Sequence, residues 1–336
     1  MRFEDLSTRG QVARLRPTAL QVLRHYPLEL ASLRLLNHGF NTTFRVDTTD
    51  GQRLALRLNV NSRRTDAFIG AEMAWLAALT QETDLWVPTP QRTHDGGLLA
   101  HAHSADLGRE IPAALFSWLP GSDLGNEATP TQMRAVGRAA ATLHAHGETW
   151  NPPAGTELPP IDTVLMDLPN RLGDDHPLLS TADHALLDAV FAQVQGHYDA
   201  MFAGARRQPL HADLHIWNLR WFRGRLSVLD FDDSGIGVPM QDLAISAYYL
   251  RDDDEQEAAL LEGYQEVRSL PEFTGAQFEA MVASRNLVLL NDVITTVTAE
   301  FLEMLPRYVP NSITKLRAYL ETGVFRHHIP GLIPSP

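Results

Sequence analysis

The stretch LHADLHIWNL, Leu210 to Leu219, decides how this chain is read. It is mostly apolar, yet it carries His211, Asp213, His215 and Asn218. A second apolar run soon follows and ends in VLDFDDSG, Val228 to Gly235, which adds Asp230, Asp232 and Asp233. Acids and an amide at the edges of two strand-like segments have two chemical uses. One is metal binding through imidazoles; the other is a phosphate site held by magnesium. The rest of the sequence weighs between them.

The chain has 336 residues, enough for two domains or one large two-lobed unit. Its 44% hydrophobic and 21% charged content is that of an ordinary soluble globular protein. No apolar run approaches the roughly 20 residues of a membrane span, and the opening MRFEDLSTRG lacks the apolar core of a secretory signal. Neither a membrane nor an export route is expected, and the absence of cysteine fits a cytoplasmic protein. A formal charge of −13 argues against nucleic acid as a partner. Of the 28 Lys+Arg, Lys315 is the single lysine. Any task usually done by lysine therefore falls to arginine.

No internal repeat or low-complexity tract interrupts the chain. A helix is expected over 11–25, with Val12, Leu15, Leu20 and Leu23 apolar. Alternating strands follow around the TTDG turn, Thr48 to Gly51, a hairpin signal. A third strand ends at NHGFN. A helix over 65–80 is broken by Val87–Pro90, and strands are expected near 98–102 and 113–119. From Thr129 the pattern is helical, about 130–146, 181–202 and 240–325, with the opening stretch and the DFD segment as short strands. The Pro-rich segment 150–160 reads as a loop of this second lobe. The expected organisation is an N-terminal helical extension over 1–27, a β-rich lobe over 28–119 and a helical lobe over 120–336.

Within LALRL, strand alternation puts Leu54, Leu56 and Leu58 on one face and Ala55 and Arg57 on the other. A small residue two before a cation leaves a flat floor beside a positive charge, suited to a purine over Ala55 and phosphates at Arg57. In the helix TDAFIGAEMAWLAAL, Phe68, Glu72 and Leu76 share a stripe, so Glu72 interrupts an apolar face. A buried carboxylate needs a cation, and Arg57 is the candidate. Gly39, Asn41 and Thr42, in the NHGFNTTF loop, could turn backbone N–H groups toward phosphates, although an ordinary hairpin turn explains the glycine equally well.

Asp213 and Asn218 stand five apart, and Asp230 follows after an apolar strand. This spacing resembles the catalytic loop and metal-binding acid of protein kinases. Together with ATLHAH (Ala141 to His146), LFSWLPGSDL (Leu115 to Leu124) and QDLA around Asp242, it is similar to the aminoglycoside phosphotransferase and choline kinase-like family, near its homoserine-kinase-like and stress-response-kinase members. The resemblance runs from about residue 28 to the last helices. It implies an α+β, bilobal protein-kinase-like fold, with a small antiparallel-sheet N-lobe and a large helical C-lobe. It implies a kinase that moves the γ-phosphate of ATP or GTP, with magnesium, to a hydroxyl acceptor: an amino alcohol, a homoserine-like compound or a protein Ser/Thr. Asp213 is then the catalytic base, Asn218 and Asp230 the metal ligands and Asp232 a further metal contact. Ala55, Arg57, Glu72, Gly39, Asn41 and Thr42 line the nucleotide, and the linker Phe116, Ser117, Trp118 and Leu119 meets the adenine. Asp242 supports the catalytic loop.

Two departures stand out. Arg57 replaces the family's lysine, with a planar fork in place of a point charge. Ala212 stands where the family has glycine. Two other readings stay open from the sequence: a nucleotide-binding module without catalysis, and a metallohydrolase using His211, His215, His101, His103, His144 and His146. The latter starts from the alternation of His211, Asp213 and His215, to which HAHSAD (101–106) and HAH (144–146) add paired histidines; it lacks a complete metal-binding run, and His144 on an amphipathic helix reads as a packed residue. The acids of LRDDDEQE, 250–257, read best as the start of a helix.

Overall fold

The computed structural model describes residues 2–60, 64–295 and 299–334. Along the chain, α1 is Thr8–Leu23, β1 Leu30–His38, β2 Thr42–Thr48, β3 Arg53–Leu58 and α2 Asp66–Glu82. Next come β4 Ala100–Ser104, β5 Arg109–Ser117, the two-residue β6 Ser122–Asp123, α3 Pro130–Gly147 and α4 Thr181–Phe202. Then follow β7 Gln208–Leu210, β8 Leu219–Phe222, β9 Arg225–Val228 and β10 Gly235–Gly237. The chain closes with α5 Met240–Leu250, α6 Asp254–Gln265, α7 Gly275–Val293 and α8 Ala299–Thr322. Among the described residues no helix is long and apolar enough to cross a membrane.

The elements form two compact units. The first comprises Met1–Ser122, Asn151–Leu158 and Phe222–Asp232. Its centre is a five-stranded antiparallel sheet in the order β1-β2-β3-β5-β4. The alternation read from LALRL holds: Leu54, Leu56 and Leu58 enter the core and Ala55 and Arg57 take the other face. Leu15, Ala19, Val22 and Leu23 of α1 share that core with Phe44, Val46 and Ile111. The helix of the N-terminal extension over 1–27 clusters with the sheet unit and contributes these side chains to its core. Leu20, counted as apolar face, is exposed, while Ala19 and Val22 point in.

Two further segments join this unit against expectation. The loop over 150–160 reads from the sequence as part of the second lobe, whereas Asn151–Leu158 clusters with the sheet unit, where the Glu157 N–H donates to the Ala67 carbonyl at 3.3 Å. The DFD segment does the same, because Phe231 packs edge-on against Trp75 of α2 with centroids 5.6 Å apart. Both residues are almost wholly buried, so this contact ties Asp230 and Asp232 to the sheet.

The second unit, Asp123–Trp150, Pro159–Trp221 and Asp233–Pro336, is mainly helical, with the short β7–β10 pair, in which Leu210 faces Gly235, and most of strand β8. Its helices start where the chain supplies caps. Thr129 with Gln132, Ser180 with Asp183 and Thr274 with Gln277 form capping boxes on α3, α4 and α7. Asp253 caps α6, and the acids that follow it sit in the first turn, as read from 250–257. Helices α3 and α6 cross at two glycines: a Cβ on Gly137 would lie 2.0 Å from the Leu260 carbonyl, and one on Gly263 2.0 Å from that of Arg134. Both obstacles are backbone, which no rotamer change relieves. Gly263→Ala should therefore lose about 1–3 kcal/mol of stability, measured as a fall in denaturation midpoint against a surface alanine control.

Candidate active site

In the first unit the candidate residues gather on the face of the sheet opposite α1. Ala55 lies opposite Phe116 in the β3–β5 register, and Arg57 lies opposite Ala114. Arg57 and Glu72 are both buried and meet as a fork, Nη1 to Oε1 at 2.8 Å and Nη2 to Oε2 at 2.5 Å. The Arg57 Nε donates to Asn59 Oδ1 at 3.1 Å, and the guanidinium lies 5.4 Å from the Phe116 ring. Burial opposes the charge on Arg57, but Glu72, Asp232 and Asp230 outweigh it and hold the arginine firmly charged. Burial pushes the Glu72 carboxyl up while Arg57 pulls it back. Asp230 lies 3.9 Å from Arg57, with 49% of its side chain exposed and a left-handed φ of 60°. Asp232 accepts from Asn41 Nδ2 at 2.6 Å.

The loop over 37–42 closes on itself, as an ordinary hairpin turn does. The Gly39 N–H donates to the Asn41 carbonyl at 3.0 Å, across the turn. The Thr42 hydroxyl is buried against His38 Nδ1 at 2.8 Å, and His38 Nε2 meets Gln11 at 2.9 Å. Thr42 therefore ties the turn to α1. In the linker, Ser117 exchanges bonds with Thr89, its N–H donating to the Thr89 carbonyl and its hydroxyl accepting the Thr89 N–H, both at 2.9 Å. Phe116 and Leu119 are buried, and Trp118 stacks beside Arg45 at 5.8 Å.

In the second unit the loop after β7 is organised by Asp242, which has no exposed surface. Its Oδ1 accepts the Ala212 N–H at 2.7 Å; its Oδ2 accepts the His211 N–H at 3.1 Å and faces His144 Nε2 at 3.0 Å. His144 meets the Tyr264 hydroxyl at 3.0 Å through Nδ1, so it is the packed residue its helix pattern indicated. Ser246 Oγ adds a bond to the Leu214 carbonyl at 2.5 Å. Ala212 has φ +64°, which explains the family's glycine: the position needs the left-handed region, and the buried Asp242 bond holds alanine there.

Asp213 then stands with 15% of its side chain exposed. Asn218 Nδ2 donates to its Oδ2 at 2.8 Å and to its carbonyl at 3.0 Å. His215 Nδ1 accepts the Trp217 N–H at 3.1 Å, which leaves the proton on Nε2, 3.2 Å from Asp213 Oδ2. Arg285 of α7 forms an ion pair with Oδ1. Burial pushes the Asp213 carboxyl up, but Arg285 and His215 outweigh it and hold it far below the usual carboxylate range. Sequence reading missed Arg285, although the signal was there: an arginine four after Met281 on a buried stripe of α7 needs an anion as Glu72 needed a cation. Asn59 carried no comparable signal.

Each unit carries oxygen donors of the kind a hard cation takes: in the second, Asn218 turns its amide nitrogen to Asp213, which leaves the amide oxygen facing away from that carboxylate; in the first, Asp230 is a half-exposed carboxylate. Three histidines of the metallohydrolase reading pair away from Asp213, His101 on Asp66, His103 on Glu110 and His144 on Asp242, while His211 Nδ1 accepts the Asp213 N–H at 3.2 Å and His215 faces its carboxylate.

The model of the phosphotransferase enzyme family matches residues 32–276. The chain belongs to that family. The expected kinase-like fold and phosphotransferase class are thus borne out. A microcompartment-associated aminopropanol kinase is 27% identical, with a TM-score of 0.79, over 92% of this chain and 99% of that one. An amicoumacin kinase solved with AMP-PNP and Ca2+ is 17% identical, with a TM-score of 0.70, over 92% and 96%. A choline/ethanolamine kinase family protein from Mesorhizobium loti is 17% identical, with a TM-score of 0.59, over 93% and 94%. No curated protein matches the sequence.

Two stability predictions follow from Asp242. Asp242→Ala should cost about 3–5 kcal/mol, since it strips partners from a buried network. Burial pushes the Asp242 carboxyl up, but the His144 bond and charge, with His211 and the Ala212 N–H, hold it below its ordinary value. A carboxyl lowered in the folded state stabilises fully above its unfolded pKa of about 3.9 and less as pH falls through the folded one. The parent's unfolding free energy should thus drop on acidification below that point more than that of Asp242→Asn.

Proposed function

We propose that the protein is an ATP-dependent kinase acting on a small hydroxyl-bearing acceptor, with Asp213 as catalytic base. The observation that carries this reading is the fixed carboxylate of Asp213, ionised and oriented by Asn218, His215 and Arg285 while part of its surface stays open. The acceptor's O–H proton passes to Asp213 as its oxygen bonds to the γ-phosphorus. The bond from that phosphorus to the β–γ bridging oxygen breaks, and ADP leaves with the electron pair.

The remaining candidates divide the nucleotide. Arg57, fixed by Glu72, reaches the phosphates; Ala55 and Phe116 give the adenine a floor; the backbone of Ser117 to Leu119 meets its edge. Asn218, Asp230 and Asp232 are the oxygen donors that would hold magnesium, which would supply charge neutralisation for the transferring phosphoryl group. The aminopropanol kinase supports a small-molecule acceptor over a protein one, since it shares 27% identity along nearly its whole length. A cytoplasmic setting fits the same reading.

Asp213→Ala should lose about 10²–10⁴-fold or more in turnover while nucleotide affinity, read by calorimetry, survives. Unchanged turnover would sink the assignment of the base. Arg57→Lys should keep most activity, because the charge remains. Arg57→Ala should lose far more, as it removes the phosphate contact and strands Glu72; equal rates for the two variants would contradict a phosphate role.

A further inference from the structure

The guanidinium of Arg285 is where the acceptor side of Asp213 departs from a simple acid site. Its side chain is 8% exposed, and one nitrogen, Nη2, pairs with Asp213 Oδ1 and donates to the Tyr249 hydroxyl at 3.1 Å. The same group lies 5.7 Å from the Tyr249 ring, which in turn packs on His215 at 4.8 Å. The Nε is buried without a hydrogen-bond partner. The cation is thus built in, braced by α5 and α7, and it retains an unmet donor. Asp213 and Asp233 are the carboxylates whose fields reach it.

A buried carboxylate needs one counter-charge, and a second cation placed beside an existing one is repelled. We propose that Arg285 determines acceptor specificity by supplying the counter-charge of Asp213 from within the protein, so that the acceptor brings its hydroxyl on a neutral or anionic molecule and presents no ammonium to the base. The inference rests on Asp213 being the base.

The test uses three matched acceptors: aminopropanol, propanediol and hydroxypropanoate. ADP release from Mg·ATP is followed for the parent, Arg285→Met, Arg285→Lys and Asp213→Asn, with folding checked by thermal melting. The parent should use propanediol or hydroxypropanoate at least as well as aminopropanol. Arg285→Met exposes Asp213 to the acceptor's own charge, so its preference for aminopropanol over propanediol should rise about tenfold or more. Arg285→Lys, which keeps the charge, should retain the parent's order. If the three acceptors are silent, ADP release into water takes their place, and methylammonium should restore it in Arg285→Met and not in the parent. A parent that favours aminopropanol, an unchanged preference in folded Arg285→Met, or equal effects of the Lys and Met variants would overturn the proposal. Parent-like ADP release by Asp213→Asn, or none from the parent, would instead overturn the base assignment beneath it.

Discussion

The bidentate pair of Arg57 and Glu72 sets the constraint on which the sheet unit depends. Both charges are buried, so neither is tolerable alone: removing one partner of such a pair typically costs about 3–5 kcal/mol. The pair fixes α2 against β3 and aims a cation along the face that carries Ala55 and Phe116. Arginine suits this better than the family's lysine would. Its fork spans both oxygens of Glu72 and still leaves Nε for Asn59, which a single ammonium cannot match.

The same logic recurs in the helical unit. Asp242 is sealed from solvent and spends its oxygens on His144 and on the N–H groups of His211 and Ala212. Those bonds hold Ala212 in a conformation alanine avoids, by about 1–2 kcal/mol, and so set the direction in which the chain delivers Asp213. Asp213 in turn is compensated by Arg285, His215 and Asn218. Three carboxylates in protected positions, each with its own donors, account for the local geometry of the candidate residues.

Much of this was legible in the sequence, for identifiable reasons. The alternation of LALRL and the interruption of an apolar helix stripe by Glu72 are period-level signals, and the Arg57–Glu72 pair follows from them. The family spacing of Asp213, Asn218 and Asp230 carried the fold. The membership of 151–158 and of the DFD segment in the sheet unit was not legible, because it depends on tertiary packing, for the DFD segment that of Phe231 on Trp75. Thr42 looked like a phosphate-loop residue, yet its partner His38 lies four residues away and is itself fixed from α1. Arg285 lies 72 residues beyond Asp213, and only the rule that a buried arginine seeks an anion connects the two.

The central claim, that buried ion pairs position the groups which bind and transfer phosphate, is tested most directly by a double-mutant cycle on nucleotide affinity. The dissociation constant of Mg·AMP-PNP is measured for the parent, Arg57→Ala, Glu72→Ala and the double variant. The account predicts weaker binding in each single variant and losses that are clearly non-additive, since Glu72 acts through Arg57. An Arg57→Ala protein that binds the nucleotide as tightly as the parent would contradict it.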